Sequence, residues 1–144
     1  MKKILFFIFL SLVFFVNAQS QDEWVLAKQK KGISIYTKEI FCDANKGFNR
    51  DLVLFKMVNS TNAELQISFK LNRWINGICL NCNLNYEEYY RTYSILPNQT
   101  IEGSCLNFRQ SNLSLFVKFN DVNYNNTNPK VLTKYTIENL TVVD

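Results

Sequence analysis

The feature that most restricts the fold is a two-residue alternation of apolar and polar side chains, which occurs twice. Leu65, Ile67, Phe69 and Leu71 alternate with Gln66, Ser68, Lys70 and Asn72. Leu113, Leu115, Val117 and Phe119 repeat the pattern against Ser114 and Lys118. Successive side chains of a strand point to opposite faces, so each run is a strand with one buried and one wet face. Residues 52–58 are apolar at nearly every position, which suits a central strand covered on both sides.

Further strands are expected at residues 33–40, 86–96 and 131–143. The last changes phase near Glu138-Asn139, where Ile137 and then Leu140 and Val142 turn inward, and a bulge accounts for that shift. The breaks at residues 59–62, 96–98 and 125–129 are rich in Asn, and Pro97 and Pro129 both fall outside the strands. Residues 86–96 carry a second reading. Tyr86, Tyr89, Tyr90 and Tyr93 also fall at helical spacing, with Asn85 and Glu88 as a cap and its partner. The tyrosines, Thr92 and Ile95 favour a strand by propensity. The expected fold is all-β: a single antiparallel β-sandwich of roughly six to eight strands, immunoglobulin-like in arrangement.

The N-terminus reads as an export signal. Lys2 and Lys3 precede an uncharged apolar stretch, residues 4–16, then Val16-Asn17-Ala18 and the polar Gln19-Ser20-Gln21-Asp22-Glu23. That order places a signal peptide at residues 1–18, cleaved after Ala18, and one mature domain at residues 19–144. The apolar stretch, about 13 residues, is short against the roughly 20 of a spanning helix. No transmembrane segment is therefore expected in the mature chain, and the expected address is the periplasm, the outer surface or the medium. Losing Lys2 and Lys3 takes the net charge from +4 to +2, and the remaining basic residues are scattered. Such a balance gives no reason to expect nucleic acid or an anionic membrane as partner.

Export governs how the four cysteines are read. Cys42, Cys79, Cys82 and Cys105 are even in number and belong to an oxidising compartment, so two disulfides are expected. An up-and-down strand order brings all four to one end of the domain. Three connectivities are open. A crossed one, tying Cys79 and Cys82 to different strands, is preferred because it pins the loop at residues 74–85. Closing a long loop stabilises by about 3–4 kcal/mol in the chain-entropy picture. Cys79-Leu80-Asn81-Cys82 also has the spacing of a thiol–disulfide oxidoreductase, but those need the first cysteine at a helix N-terminus. Zinc would need two close pairs, whereas Cys42 and Cys105 stand alone. No cofactor or metal is expected.

The chain has no histidine, which excludes Ser-His-Asp and Cys-His nucleophiles. Glu87 and Glu88 are adjacent and on a strand would face opposite ways. Asp43, Glu102 and Asp121 lie in separate segments, with no spaced calcium loop around them. Gly32, Gly47, Gly77 and Gly103 stand too far apart for a phosphate loop. A non-enzymatic protein is expected.

Aromatic side chains are plentiful, including Phe41 and Phe48. If the tyrosines face water, Trp74, Tyr86, Tyr89, Tyr90 and Tyr93 make a surface suited to protein or sugar contact. Cross-strand packing is the competing use of the same rings. Asn59, Asn98, Asn112, Asn125 and Asn139 each begin an Asn-x-Ser/Thr triplet, which chance explains in a chain so rich in Asn.

Trp24-Val25-Leu26 followed by Gly32-Ile33-Ser34-Ile35-Tyr36-Thr37-Lys38 is similar to the opening strand of START-like lipid-binding domains. The similarity ends there, with no long C-terminal helix to follow, and is treated as a coincidence of strand chemistry. The four-cysteine layout, with Gly103-Ser104-Cys105 leading into Leu113-Ser114-Leu115-Phe116-Val117-Lys118-Phe119, resembles exported β-domain proteins of Gram-negative bacteria. That resemblance implies a compartment and a fold, and no site residues. The expected function is a β-sandwich module of the cell envelope binding a protein or glycan. A small redox or metal protein using Cys79 and Cys82 is the alternative, and a hydrophobic-ligand carrier the third.

Overall fold

The computed structural model describes residues 23–43, 45, 49–106, 112–120 and 128–144. Residues 1–18, expected to be a signal peptide, and Gly47, Phe48, Asp121 and Asn125, lie outside the described residues. Among the described residues nine strands are present: β1 (Val25–Lys30), β2 (Ile33–Cys42), β3 (Arg50–Asn59), β4 (Leu65–Ile75), β5 (Ile78–Cys79), β6 (Tyr90–Ile95), β7 (Thr100–Glu102), β8 (Ser114–Phe119) and β9 (Leu132–Val143). Six match the runs visible in the sequence. The short β5 and β7, and β1, take the count above the expected six to eight.

All pairings are antiparallel. In the first sheet β3 is central. It pairs along its whole length with β2, which pairs with β1 through the two-residue turn Lys31-Gly32, where both residues have positive φ (45° and 79°). The other edge of β3 is shared. β8 pairs with Arg50–Leu54 and β7 with Lys56–Val58. The changeover falls at Phe55, whose N–H donates to the Leu113 carbonyl (2.8 Å) while its carbonyl accepts from Gly103 N–H (2.9 Å). A Cβ on Gly103 would sit 2.2 Å from the Leu113 carbonyl oxygen, so the two backbones meet only because this residue is glycine.

The second sheet repeats the plan around β4. β9 runs along one edge of β4, and β6 and β5 share the other. Between Ser68 and Lys70 the β4–β9 register slips, and Asn139 at the slip has φ 52°. This is the bulge expected from the phase change at Glu138-Asn139.

The two sheets pack face to face around one core. Phe55 of β3 and Phe69 of β4 are fully buried and meet across it, ring centroids 6.4 Å apart, with Tyr135 of β9 edge-on to Phe55 at 6.3 Å. Burying each phenylalanine is worth about 1.5–3 kcal/mol by area transfer. Asn59, 1% exposed, ties the ends together: its amide nitrogen faces the carbonyls of Ala63, Ile95 and Leu96 at 2.8–3.0 Å, and its oxygen accepts from Thr61. That nitrogen is buried and engaged, so the triplet at Asn59 is no glycan acceptor.

The outer face of the first sheet is covered as well, as the apolar run at residues 52–58 required. Leu52, Leu54, Cys42 and Cys105 form a second cluster, with Trp24 and Ile40 against it. Cys42 and Cys105 are disulfide-bonded there (Cα–Cα 5.7 Å), and Cys79 is bonded to Cys82 (Cα–Cα 5.8 Å). The crossed connectivity is therefore not formed. The physical reason is the chain path: beyond the Gly103 crossing the chain lies over the outer face at Cys42, while the turn after β4 folds Cys82 back beside Cys79. The four thiols make two separate pairs.

Candidate functional site

Residues 86–96, read above as a strand or a helix, are divided. Glu87–Tyr89 form a single 3-10 turn and β6 begins at Tyr90. The cap reading does not hold: no side chain caps the turn, and the Asn85 side chain instead accepts a hydrogen bond from the Tyr90 hydroxyl at 2.8 Å. The consequence for the candidate aromatic surface is a split. Tyr86 is 60% exposed, and its ring lies 6.0 Å from that of Tyr89. Tyr93 turns inward: its ring stacks on Phe69 at 6.1 Å and its hydroxyl donates to the Asn112 carbonyl at 2.8 Å. Trp74 is adjacent to Arg73 in β4 and so faces the other side of the second sheet, where Lys134 sits 4.7 Å above its ring.

Tyr89 and Tyr90 line a groove of about 180 Å³ together with Leu71, Arg73, Glu88, Arg91 and Asn112. Its position follows from the strand ends. β6 pairs with β4 only as far as Lys70, so beyond Lys70 the inward-facing Leu71 and Arg73 are left at an opening between the sheets. On that edge of β4 the backbone is satisfied by Asn81. This residue is 1% exposed; its amide nitrogen donates to the Leu71 carbonyl (2.9 Å) and its oxygen accepts from Arg73 N–H (2.9 Å). One side chain thus stands in for a missing strand residue between β5 and β6. The Cys79–Cys82 disulfide brackets it.

Arg91 crosses from one sheet to the other. Its guanidinium donates to the carbonyls of Asn112 and Ser114 and lies 5.1 Å over the Phe55 ring. Burial pushes this guanidinium below its ordinary range. The Tyr89 hydroxyl is pushed up, first by its hydrogen bond with the Glu88 carboxylate. The groove thus presents a cation at Arg73, a carboxylate at Glu88, and hydroxyl and amide groups from Tyr89, Tyr90 and Asn112.

Sequence reasoning found the tyrosines and missed Arg73, Arg91 and Asn112. Only the inward parity of Arg73 with Leu71, and of Arg91 with Ile95, could have pointed to them. Among the described residues no three His, Cys, Asp or Glu side chains are placed to hold a metal, and no helix is long and apolar enough to cross a membrane.

Burial raises the hydroxyls of Tyr93 and Tyr135 above the ordinary value of 10.0. The native state then holds protons that the unfolded chain has lost. The stability this contributes is complete below pH 10 and falls as the pH rises through the raised native values. Alkaline denaturation should accordingly begin above pH 10, and Tyr93→Phe should make it shallower. A melting-temperature series from pH 8 to 12 checks this, and an identical slope in the variant would contradict it.

No protein-family model matches this chain, and neither a curated protein nor a solved structure is significantly similar to it.

Proposed function

We propose that this protein is an exported, non-enzymatic β-sandwich module of the cell envelope that binds a protein or glycan. The observation that carries the proposal is the groove at Arg73, which combines charged, hydroxyl and amide groups beside the exposed Tyr86–Tyr89 ring pair. Aromatic and arginine side chains are the types enriched where proteins recognise partners. Export is supported by the leader at residues 1–18 and is compatible with the two disulfides. An immunoglobulin-like arrangement is supported by β3 pairing β8 in one sheet while β4 pairs β9 in the other, the chain crossing between sheets from β3 to β4, back from β6 to β7 and again from β8 to β9.

The other two readings draw less support. The Cys79–Cys82 disulfide stands at a strand turn, with no helix N-terminus at Cys79 among the described residues, and its intervening Asn81 has a structural task. The space a carrier would use between the sheets is filled at its centre by Phe55 and Phe69.

Affinity capture from envelope extract, with a glycan array alongside, tests the proposal. A saturable partner, lost in a Tyr86→Ala, Tyr89→Ala variant, is the expected result. No saturable partner in either format would count decisively against it. Intact mass after alkylation addresses the redox reading: no label before reduction and four after it is the expected outcome.

A further inference from the structure

We infer that the groove selects an acidic glycan, with the carboxylate of a uronic acid held by Arg73; this rests on the binding-module reading above. The two guanidiniums that reach the groove differ in what they have left to offer. Arg91 is committed to the carbonyls of Asn112 and Ser114. Arg73 lines the groove, half-buried, and among the described residues no carboxylate pairs with it. Its planar fork matches a carboxylate in two parallel hydrogen bonds, and the second cation beside it strengthens the pull on an anion.

The remaining groups favour a sugar over an acidic peptide. Glu88 lies in the same wall and repels a purely anionic ligand, yet accepts hydrogen bonds from hydroxyl groups. Tyr89, Tyr90 and Asn112 add hydroxyl and amide groups at the same opening. A uronic acid presents a carboxylate and several hydroxyls on one ring, which answers both halves of the wall; an Asp or Glu side chain answers only one. The volume, about 180 Å³, is small against the roughly 300–1,000 Å³ of pockets for drug-sized ligands, and suits a single ring at a chain end. The exposed Tyr86 ring beside Tyr89 offers a flat apolar surface to the next ring of such a chain.

The test is a titration of the full mature protein, disulfides intact, followed by calorimetry and amide chemical shifts. The probes are trigalacturonate, its methyl ester and triglutamate. Trigalacturonate should bind, the ester and the peptide at least tenfold more weakly, and Arg73→Gln should lose at least tenfold with an unchanged melting temperature. Arg73→Lys should recover only part of the loss, since a point charge cannot form the paired bonds. Equal binding of triglutamate overturns the inference in favour of simple charge attraction, and unimpaired binding by Arg73→Gln overturns it as well. If the ester binds as tightly as the acid and Tyr86→Ala abolishes both, the acid selectivity is wrong while the binding module stands. If none of the three probes binds, the acidic-glycan assignment falls, and the capture experiment above decides the module reading separately.

Discussion

Replacing Cys42 and Cys105 together by alanine should lower the unfolding free energy by about 4 kcal/mol, and replacing Cys79 and Cys82 by about half as much. The two bonds differ most in the chain they close. Cys42 and Cys105 are 63 residues apart in sequence, and Cys79 and Cys82 only 3. Freeing the larger loop releases more disorder in the unfolded chain. In the native state the first pair is also packed into the Leu52–Leu54 cluster, so its loss disturbs apolar contacts on the outer face of the first sheet. Urea denaturation of the two double variants measures the difference. Equal losses, or a larger loss at Cys79 and Cys82, would show that the outer-face cluster holds without its covalent bond.

The second large effect is expected at Asn81. Asn81→Ala should destabilise by about 2–4 kcal/mol, because it strands two buried backbone groups, each costing about 1–3 kcal/mol when unpaired. The groups are the Leu71 carbonyl and the Arg73 N–H. Asn81→Asp keeps the acceptor for Arg73 N–H but loses the donor to Leu71 and buries a charge, so it should be no milder at neutral pH. Amide exchange gives a local readout: the Arg73 N–H should lose protection in Asn81→Ala while the Phe55 N–H, across the core, keeps its own. Unchanged exchange at Arg73 would refute the assignment of Asn81 as a strand substitute.

The disulfide pairing and Asn81 mark the boundary of what the sequence discloses. The alternation at Leu65–Leu71 and at Leu113–Val117 is imposed by one buried face, so it can be read directly in side-chain polarity. It misleads in two places: Lys70 and Asn72, expected on the wet face, are buried (5% and 2% exposed), and a register shift opposite Asp51 and Leu52 turns Phe119 outward beside Phe116. The phase change at Glu138-Asn139 is legible for the same reason, because the bulge moves apolar side chains from odd to even positions. β1 is different. Every residue in it is exposed, so no burial pattern marks Val25–Lys30 as a strand. β5 and β7 are two and three residues long, too short to carry a period. The disulfide connectivity depended on where Gly103 passes Leu113, a close approach of backbones that leaves no mark except the glycine itself. At the groove the tyrosines stand out by composition. Arg73 and Arg91 do not, since arginine is ordinary on surfaces and only pairing brings these two together, Phe69 opposite Arg91. Asn81 was hidden inside the most conspicuous motif of the chain, where attention goes to the sulfur on either side.

The division of each sheet's edge has a consequence for how copies of this chain meet one another. A strand at the margin of a sheet is a template for another chain unless something spoils it. Among the described residues, the margins carry several such interruptions. On one side of the first sheet, β7 and β8 meet at Gly103 rather than running through. On the other, β1 carries a register shift between Leu26 and Lys28 and two lysines. In the second sheet the gap between β5 and β6 is plugged by a side chain, and β9 kinks at Asn139. Beside that kink, Lys30 reaches across to occupy the Leu140 carbonyl at 2.6 Å. Each interruption shortens the ladder that an incoming strand could extend, which lowers the tendency of a fold made almost wholly of strands to pair edge to edge with its own copies.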